Sequence, residues 1–332
     1  MDQPNLVFSG RTHPGRVHER NEDAFTILTP DDGGSLLAIC DGMGGMGRGD
    51  EASRLAVEIL RETLASVPAA DIADQLTAAI ETADTLLRDR LFDEDQRTQP
   101  GATAVLVWIY DAAAYVAWVG DSRAYWIRGD TILGRTRDHK LVEDLVDAGQ
   151  LSPEEARHST LAHVVTRALG GRSADEPVVS AAERERPWTL RRGGRILLWS
   201  DGLSDLVEDH ELPDLLESDD VETVTHRLVA LANERGGHDN ITCILARWQG
   251  SDHDPDVEAT PVMASGRLLG PEPENTDPMA HIVDTPTASS VPRRPWIPLG
   301  LARRPWPRIW WWPAATLWGL AALTFVAGLL RS

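Results

Sequence analysis

The chain has 332 residues, of which 42% are hydrophobic, and a formal net charge of −20 at pH 7. This composition is typical of a globular protein with one sizeable core and excludes a chain that is disordered throughout. Residues 1–248 carry most of the negative charge, with 25 basic and 44 acidic residues. So acidic a domain excludes nucleic-acid binding through a general basic surface, and we expect no nucleic-acid partner.

The two cysteines, Cys40 and Cys243, each lie in an apolar run that is typical of a strand. Their number and spacing indicate neither a disulfide framework nor a zinc cluster, so a reducing cytoplasm is the simple expectation. No apolar segment follows residues 1–4, and we therefore expect no signal peptide.

The first part of the chain predicts strands followed by two helices. Apolar or alternating runs predict three strands, at 6–9, 24–28 and 35–40. Apolar residues then recur at helical spacing over 51–67 and 71–91, which predicts two amphipathic helices. Pro68 ends the first of these helices, and Asp71 can cap the second.

The middle of the chain predicts an antiparallel meander and then a polar segment. Apolar runs with short connections predict four strands, at 102–110, 114–119, 123–128 and 131–133. The last two can pair across a turn at Gly129 and Asp130. The polar segment 138–159 contains a predicted helix near 141–148 and a helix start at Ser152.

The next part of the chain returns to buried strands. The pattern predicts strands at 195–200 and 241–248, with helices near 211–217 and 221–235 between them. Because strands and helices are grouped instead of alternating strictly, the whole pattern indicates an α+β fold.

The remaining residues differ in composition. Residues 249–290 contain eight acids, one arginine and several prolines without an apolar period, which predicts disorder. We divide this part into a linker at 249–305, first acidic and Pro-rich and then Arg-rich, and a membrane anchor at 306–332. Within the anchor, 309–330 is 22 residues without a charge, which is long enough to span a bilayer.

The charges around this apolar stretch predict its orientation. Five arginines precede it after residue 290, and the positive-inside tendency keeps that side in the cytoplasm. We expect a single-pass protein of the cytoplasmic membrane, with domain 1–248 in the cytoplasm. The alternatives are a buried C-terminal hairpin and an interfacial helix broken at Pro313.

Acidic residues recur where predicted strands end. Asp41 follows the run 35–40 and opens a glycine-rich stretch, and Asp201 follows 195–200 in the same way. Three further junctions carry acids: Asp121 in GDSR, Asp239 in GGHDN, and Glu22 with Asp23 in RNED. An Asp-Gly pair alone indicates a hairpin turn. Five such junctions instead favour a site in which carboxylates and closely approaching backbone hold a hard cation.

The motifs follow one another in a characteristic order: RNEDAF, DGMGG, GAT (101–103), GDSR, RDH (137–139), TRALG (166–170), SDGLSD and DNIT. In this order, over roughly residues 5–248, they resemble the metal-dependent protein phosphatase family (PPM or PP2C) in its bacterial form. The resemblance implies a four-layer α-β-β-α sandwich, with two antiparallel sheets packed face to face between helices. It also implies that segment 138–159 is a flap beside the active site.

The resemblance assigns the metal ligands residue by residue. The ligands that it implies for two divalent ions are Asp41 as the bridge, Glu22 and the carbonyl of Gly42 on one ion, and Asp201 and Asp239 on the other. Asp121 and Asp205 match a weaker third metal site of bacterial members. All are oxygen donors, so two or three Mn²⁺ or Mg²⁺ ions suit them and zinc does not.

The implied activity is that of a protein serine/threonine phosphatase. A water shared by two cations becomes hydroxide near neutral pH and can attack phosphorus directly, without a phosphoenzyme. Asp23 is expected to orient that water or to stabilise its strand. The implied partners are phosphorylated proteins and a cognate kinase, whose signalling the enzyme opposes. Two alternatives remain: a module that binds phosphoproteins with weak turnover, and an enzyme for small phosphate esters.

The position of the phosphate clamp departs from the family pattern. The family commonly places an arginine before Asn-Glu-Asp, whereas this chain has His18. A histidine carries only part of a positive charge near pH 7 and cannot form a bidentate fork. Arg16 or Arg20 could compensate, and Arg20 would share a face with His18 if both lay on one strand. Met43 stands where the animal enzymes carry a histidine.

The glycines at 42–49 do not form a Walker nucleotide loop. Such a loop needs Gly-Lys-Ser/Thr, and the only lysine of the chain is Lys140. His139 and His158, in the flap-like segment, are expected at the surface and not as ligands.

Overall fold

The computed structural model describes residues 5–30, 34–44, 47–65, 71–91, 99–170, 180–182, 187–218 and 220–250. Within these ranges the strands are β1 (Leu6–His13), β2 (Asp23–Leu28), β3 (Ser35–Met43), β4 (Gly101–Ala102), β5 (Ala104–Tyr110), β6 (Ala113–Val119), β7 (Arg123–Arg128), β8 (Thr131–Arg135), β9 (Ser180–Ala182), β10 (Trp188–Thr189), β11 (Arg195–Trp199) and β12 (Ile241–Trp248). The helices are α1 (Gly49–Thr63), α2 (Ile72–Leu91), α3 (Leu141–Asp147), α4 (Pro153–Arg157), α5 (Asp201–Ser204), α6 (Leu212–Leu215) and α7 (Val221–Glu234).

The strands form two sheets, and their pairings are antiparallel. The first sheet has the order β1-β12-β11-β7-β8. The second has the order β10-β6-β5-β3-β2, with β4 paired to β3 and β9 paired to β6. This arrangement confirms the predicted pair of antiparallel sheets.

Side-chain alternation along the strands explains why the sheets stack. In β3, Leu37 and Ile39 face the core between the sheets, whereas Leu36 and Ala38 pack in a second core with α1 and α2. In β11, Leu197 belongs to a third core with α7. Three buried cores therefore separate four layers, as the α-β-β-α expectation requires.

Local sequence accounts for the start of α4. The Ser152 hydroxyl accepts a hydrogen bond from Glu155 N at 3.2 Å, and the Glu155 carboxylate accepts one from Ser152 N at 2.8 Å. This capping box satisfies two backbone donors that a helix otherwise leaves without partners, and such a cap is worth about 1 kcal/mol. The predicted helix start at Ser152 is confirmed.

The structure corrects several predicted boundaries. β1 extends past the predicted end to His13, because β12 supplies partners along its whole length. β3 continues to Met43, so Asp41 lies within a strand, opposite Asp23, and not beyond the strand tip. The short elements β9, β10 and α5 had no sequence signal, since two to four residues are too few to show a period.

The predictions for the C-terminal part concern residues that lie almost entirely outside the described ranges. Among the described residues, no helix is both long and apolar enough for a bilayer crossing. The predicted anchor 306–332 and all but the first two residues of the linker 249–305 lie outside the described residues, so both stay predictions.

Candidate metal centre and active site

A cleft of about 790 Å³ gathers acids from separate parts of the chain. Its wall includes every residue predicted as a metal ligand: Glu22, Asp41, Gly42, Asp121, Asp201, Asp205 and Asp239. His18 also lies in the wall. Of the predicted site residues, Asp23 and Arg20 lie outside the wall as the structure describes it.

The ends of the strands bring these acids together. Glu22 precedes β2, Asp41 lies near the end of β3, Asp121 follows β6, Asp201 follows β11, and Asp239 precedes β12. Two glycines allow the close approach of these segments. A side chain at Gly42 would collide with the carbonyl oxygen of Gly49, and one at Gly202 would collide with that of Asn240. Each Asp-Gly pair therefore needs its glycine so that the neighbouring acid can lie against the next segment.

Asn240 fixes the segment that carries Glu22. Its side-chain oxygen accepts a hydrogen bond from Glu22 N at 2.6 Å. Its side-chain nitrogen donates to the carbonyl oxygens of Pro14 and Arg20, at 3.0 Å each. One amide thus holds the irregular stretch between β1 and β2 in place beside Asp239.

The electrostatics of the cleft suit a cation. Burial, and then repulsion from Asp201 and Asp23, raise the pKa of Asp41 well above its usual range. Burial and neighbouring carboxylates, Asp121 first, raise the pKa of Asp201 in the same direction. Asp201 Oδ1 is also buried without a hydrogen-bond partner among the described residues. Carboxylates in such surroundings are stabilised by a bound cation, so the donor set fits Mn²⁺ or Mg²⁺.

The acids line an open cleft and do not form a closed cage. In the described ranges, no three acidic, histidine or cysteine side chains enclose an ion by themselves. Magnesium sites commonly keep several waters and use only one or two carboxylates for each ion.

Asp23 lies behind the cleft and joins the two sheets. Its carboxylate is buried and accepts a hydrogen bond of 2.8 Å from the Ser200 hydroxyl. Burial raises the pKa of Asp23 to about 6. These contacts are those of a residue that stabilises its strand, and the role of orienting a water stays a prediction.

His18 and Arg20 point to different places. His18 is half exposed, and its Nε2 lies 3.5 Å from Asp239 Oδ1. Arg20 Nη1 instead donates to the carbonyl oxygen of Gly47 at 3.3 Å. The premise that the two share a strand face is wrong, because β1 ends at His13 and β2 begins at Asp23.

The expectation that His139 lies at the surface is wrong. His139 is 8% exposed and stacks on Trp118, with ring centroids 6.0 Å apart. Its Nδ1 accepts a hydrogen bond of 3.1 Å from Gly120 N. Burial, with the nearby charge of Arg167, lowers the pKa of His139 to about 4. No local pattern indicated this position, since the partners lie about twenty residues away in sequence.

Two residues of the cleft wall and one residue beside the cleft had no sequence prediction. His163 and His238 line the cleft, and His163 Nδ1 lies 3.4 Å from Asp205 Oδ2. The Lys140 ammonium lies 3.0 Å from Asp121 Oδ2. Histidines in loops carry no periodic signal, and the position of Lys140 depends on pairing with a distant segment.

Comparison with known proteins identifies the family. The model of the family described as protein phosphatase 2C matches residues 12–241. The chain belongs to this family, which confirms the resemblance predicted from its motifs.

Curated relatives carry serine/threonine phosphatase names. Serine/threonine protein phosphatase PstP of Mycobacterium tuberculosis is 32% identical over 273 residues, which are 82% of this chain and 50% of PstP. Serine/threonine phosphatase stp of Listeria welshimeri is 32% identical over 240 residues, which are 71% of this chain and 93% of the relative. The chain thus spans about half the length of the mycobacterial relative.

Solved structures share the fold. The Streptococcus agalactiae serine/threonine phosphatase gives a TM-score of 0.67 at 29% identity, over 74% of this chain and 100% of the other. The catalytic domain of PstP in complex with two manganese ions gives a TM-score of 0.63 at 31% identity, over 74% of this chain and 99% of the other.

Proposed function

We propose that this chain is a metal-dependent protein phosphatase acting on phosphoserine and phosphothreonine. The observation that carries the proposal is the convergence of seven predicted ligand residues, from five separate segments, on one cleft. The names of the relatives support the substrate class. The manganese complex of PstP supports the cofactor.

The cofactor we infer is Mn²⁺ or Mg²⁺, which Glu22, Asp41, the Gly42 carbonyl, Asp201 and Asp239 would hold. When bound, the cations supply the positive charge that lowers the pKa of a shared water, so that it can attack phosphorus directly. The residues of the chain position this centre. Asn240 holds the Glu22 backbone, and Thr103 Oγ1 accepts a hydrogen bond of 3.0 Å from Asp41 N.

The charge of the cleft sets the order of binding. Its cluster of acidic side chains repels a phosphate dianion until cations neutralise the negative charge. We therefore expect cations to bind before substrate. Three histidines of the described wall, His18, His163 and His238, can meet a phosphate oxygen with a positive charge, and His18 is the one at the position of the family's phosphate-clamping arginine. The rival function, a phosphoprotein-binding module with weak turnover, is favoured only by this histidine in place of an arginine.

The deciding experiment measures phosphate release by the full chain from phosphothreonine and phosphotyrosine peptides, over a manganese titration and with a chelator. We expect release that requires the metal and is faster from phosphothreonine. Asp130→Asn, at an exposed turn, is the matched control for Asp41→Asn. Release that the chelator leaves unchanged would refute the mechanism, and tight phosphopeptide binding without release would establish the rival function.

We also propose that residues 306–332 anchor the protein in the cytoplasmic membrane, where it opposes a serine/threonine kinase. The apolar stretch between Arg308 and Arg331 is the basis of this proposal. Fractionation should find the full chain in membranes, in a form that only detergent releases. Release by carbonate or high salt would favour an interfacial helix or a buried hairpin.

A further inference from the structure

The only lysine of the chain lies within the acidic cluster beside the cleft. The Lys140 side chain is 7% exposed, and its ammonium lies 3.0 Å from Asp121 Oδ2 and 4.0 Å from Asp205 Oδ1. A third carboxylate, that of Asp138, lies 3.9 Å away. A buried ammonium is stable only when carboxylates surround it, so the positive charge of Lys140 is balanced by these three acids.

The three carboxylates do not share the ammonium equally. Asp138 already has a cation, because Arg123 Nε and Nη2 donate to its two oxygens at 2.7 and 2.8 Å. Asp121 is 2% exposed, and Lys140 is the cation in closest contact with it. Lys140 therefore neutralises mainly Asp121 and, at a longer distance, Asp205. These are the two acids that the family resemblance assigned to a third metal ion.

Backbone contacts hold residue 140 beside the segment that carries Asp121. His139 N donates to the Gly120 carbonyl oxygen at 2.9 Å, and Gly120 N donates back to the His139 ring. On its other side Lys140 forms an antiparallel bridge with Val165. Both the carboxylate of Asp121 and the ammonium of Lys140 are thus attached to one hydrogen-bonded unit.

We propose that the Lys140 ammonium replaces the third metal ion in this chain, so that the protein binds two divalent ions and not three. A divalent ion coordinated by both Asp121 and Asp205 would lie within a few ångströms of a buried positive charge that is already paired with the same two acids. The two kinds of cation therefore exclude each other. Lys140 does not line the cleft as the structure describes it, so it is a positioning residue that holds Asp121 beside Asp201.

This inference rests on the proposed two-metal centre and has a readout apart from activity. Equilibrium dialysis of the full chain against millimolar Mn²⁺, with metal analysis of the retained protein, counts the bound ions. We expect two per wild-type chain. Lys140→Ser removes the ammonium and leaves Asp121 and Asp205 in place. The number of ions bound by this variant should rise to three, with the added ion bound more weakly. Lys140→Arg keeps the charge and should stay at two.

A double variant keeps the test valid if Lys140→Ser folds poorly. Lys140→Ser with Asp121→Asn removes both members of the ion pair, and we expect it to bind two ions. Its circular dichroism and melting temperature should stay close to those of the wild type. Three ions on the wild-type chain would overturn the inference and leave the proposed function intact. A count of two on a folded Lys140→Ser variant would overturn it as well. A wild-type chain that binds no ion would overturn both proposals.

Discussion

The hydroxyl of Ser200 donates a hydrogen bond of 2.8 Å to the carboxylate of Asp23, and this contact joins the two sheets behind the acidic cleft. Asp23 begins β2, whereas Ser200 directly follows β11 in the other sheet. The same hydroxyl oxygen accepts a hydrogen bond of 3.1 Å from Thr242 N, at the start of β12. One side chain therefore fixes the spacing of three strands whose neighbouring residues carry the acids.

Ser200→Ala should destabilise the protein by about 1 to 3 kcal/mol. The substitution leaves the buried carboxylate of Asp23 and the Thr242 N–H without this partner, and unsatisfied buried groups cost energy in this range. Urea unfolding of the metal-free protein measures the effect. Thr160→Ala removes a hydroxyl at an exposed position and should leave the free energy of unfolding nearly unchanged. Equal stability of the two variants would mean that the sheets do not depend on the Ser200 contact.

Asp201→Asn should stabilise the metal-free protein and weaken its response to metal. Burial and repulsion raise the pKa of Asp201 in the folded state, so ionising this carboxyl at pH 7 costs folding free energy until a cation binds. At a manganese concentration of about 100 times the Kd, the wild type should gain about 2.7 kcal/mol, and the variant much less. Thermal melts with chelator test the higher stability of the metal-free variant, and melts with manganese test its smaller gain from the metal.

Asp41→Asn should lower turnover by more than about 100-fold, since even residues that only support a metal ligand cost about 10- to 100-fold. Its fold should persist, because Thr103 holds the backbone of residue 41 and not its carboxylate. Steady-state rates with a phosphopeptide, beside circular dichroism, measure this. Near-normal turnover would refute the bridging role of Asp41.

His18→Arg should lower KM more than it changes kcat. A permanent charge at the cleft wall contacts the phosphate in both the ground state and the transition state, and charge-assisted hydrogen bonds are worth about 1 to 3 kcal/mol. His18→Ala should raise KM, whereas Arg20→Ala should have little effect because its guanidinium binds the Gly47 carbonyl. If Arg20→Ala is the damaging change, Arg20 is the phosphate ligand and His18 is not.

His139 should make the protein less stable as the pH falls. Its pKa is lowered from 6.5 to about 4 in the folded state, so between these values the unfolded state binds more protons. Stability is therefore fully present above pH 6.5 and declines towards pH 4, by up to about 3 kcal/mol from this residue. His139→Asn keeps an acceptor for Gly120 N but does not titrate. Urea unfolding of the metal-free wild type and of His139→Asn over this pH range gives two stability profiles, and their difference is the contribution of His139. Parallel profiles would refute the prediction.

The elements that could be predicted from the sequence are the long ones, in which a periodic pattern repeats several times. The two amphipathic helices and the strand β12 were located to within a few residues, because burial imposes a pattern on every residue of such elements. The convergence of the predicted ligand acids on one cleft could also be predicted, since each acid lies near the end of a buried strand. The position of the Arg20 side chain could not be predicted. Residues 14–22 have no periodic pattern, and their conformation depends on Asn240, which is 220 residues away from Arg20 in sequence. The position of Lys140 depends in the same way on its bridge to Val165.

The burial of a unique lysine makes local opening of this protein measurable at one atom. Apart from the α-amino group, Lys140 carries the sole primary amine of the chain, and a protease that cleaves after lysine has a single target bond. Both amine acylation and cleavage require Lys140 to leave its contacts with Asp121 and Val165 transiently. The rate of either reaction therefore reports the free energy of that opening, without any engineered label.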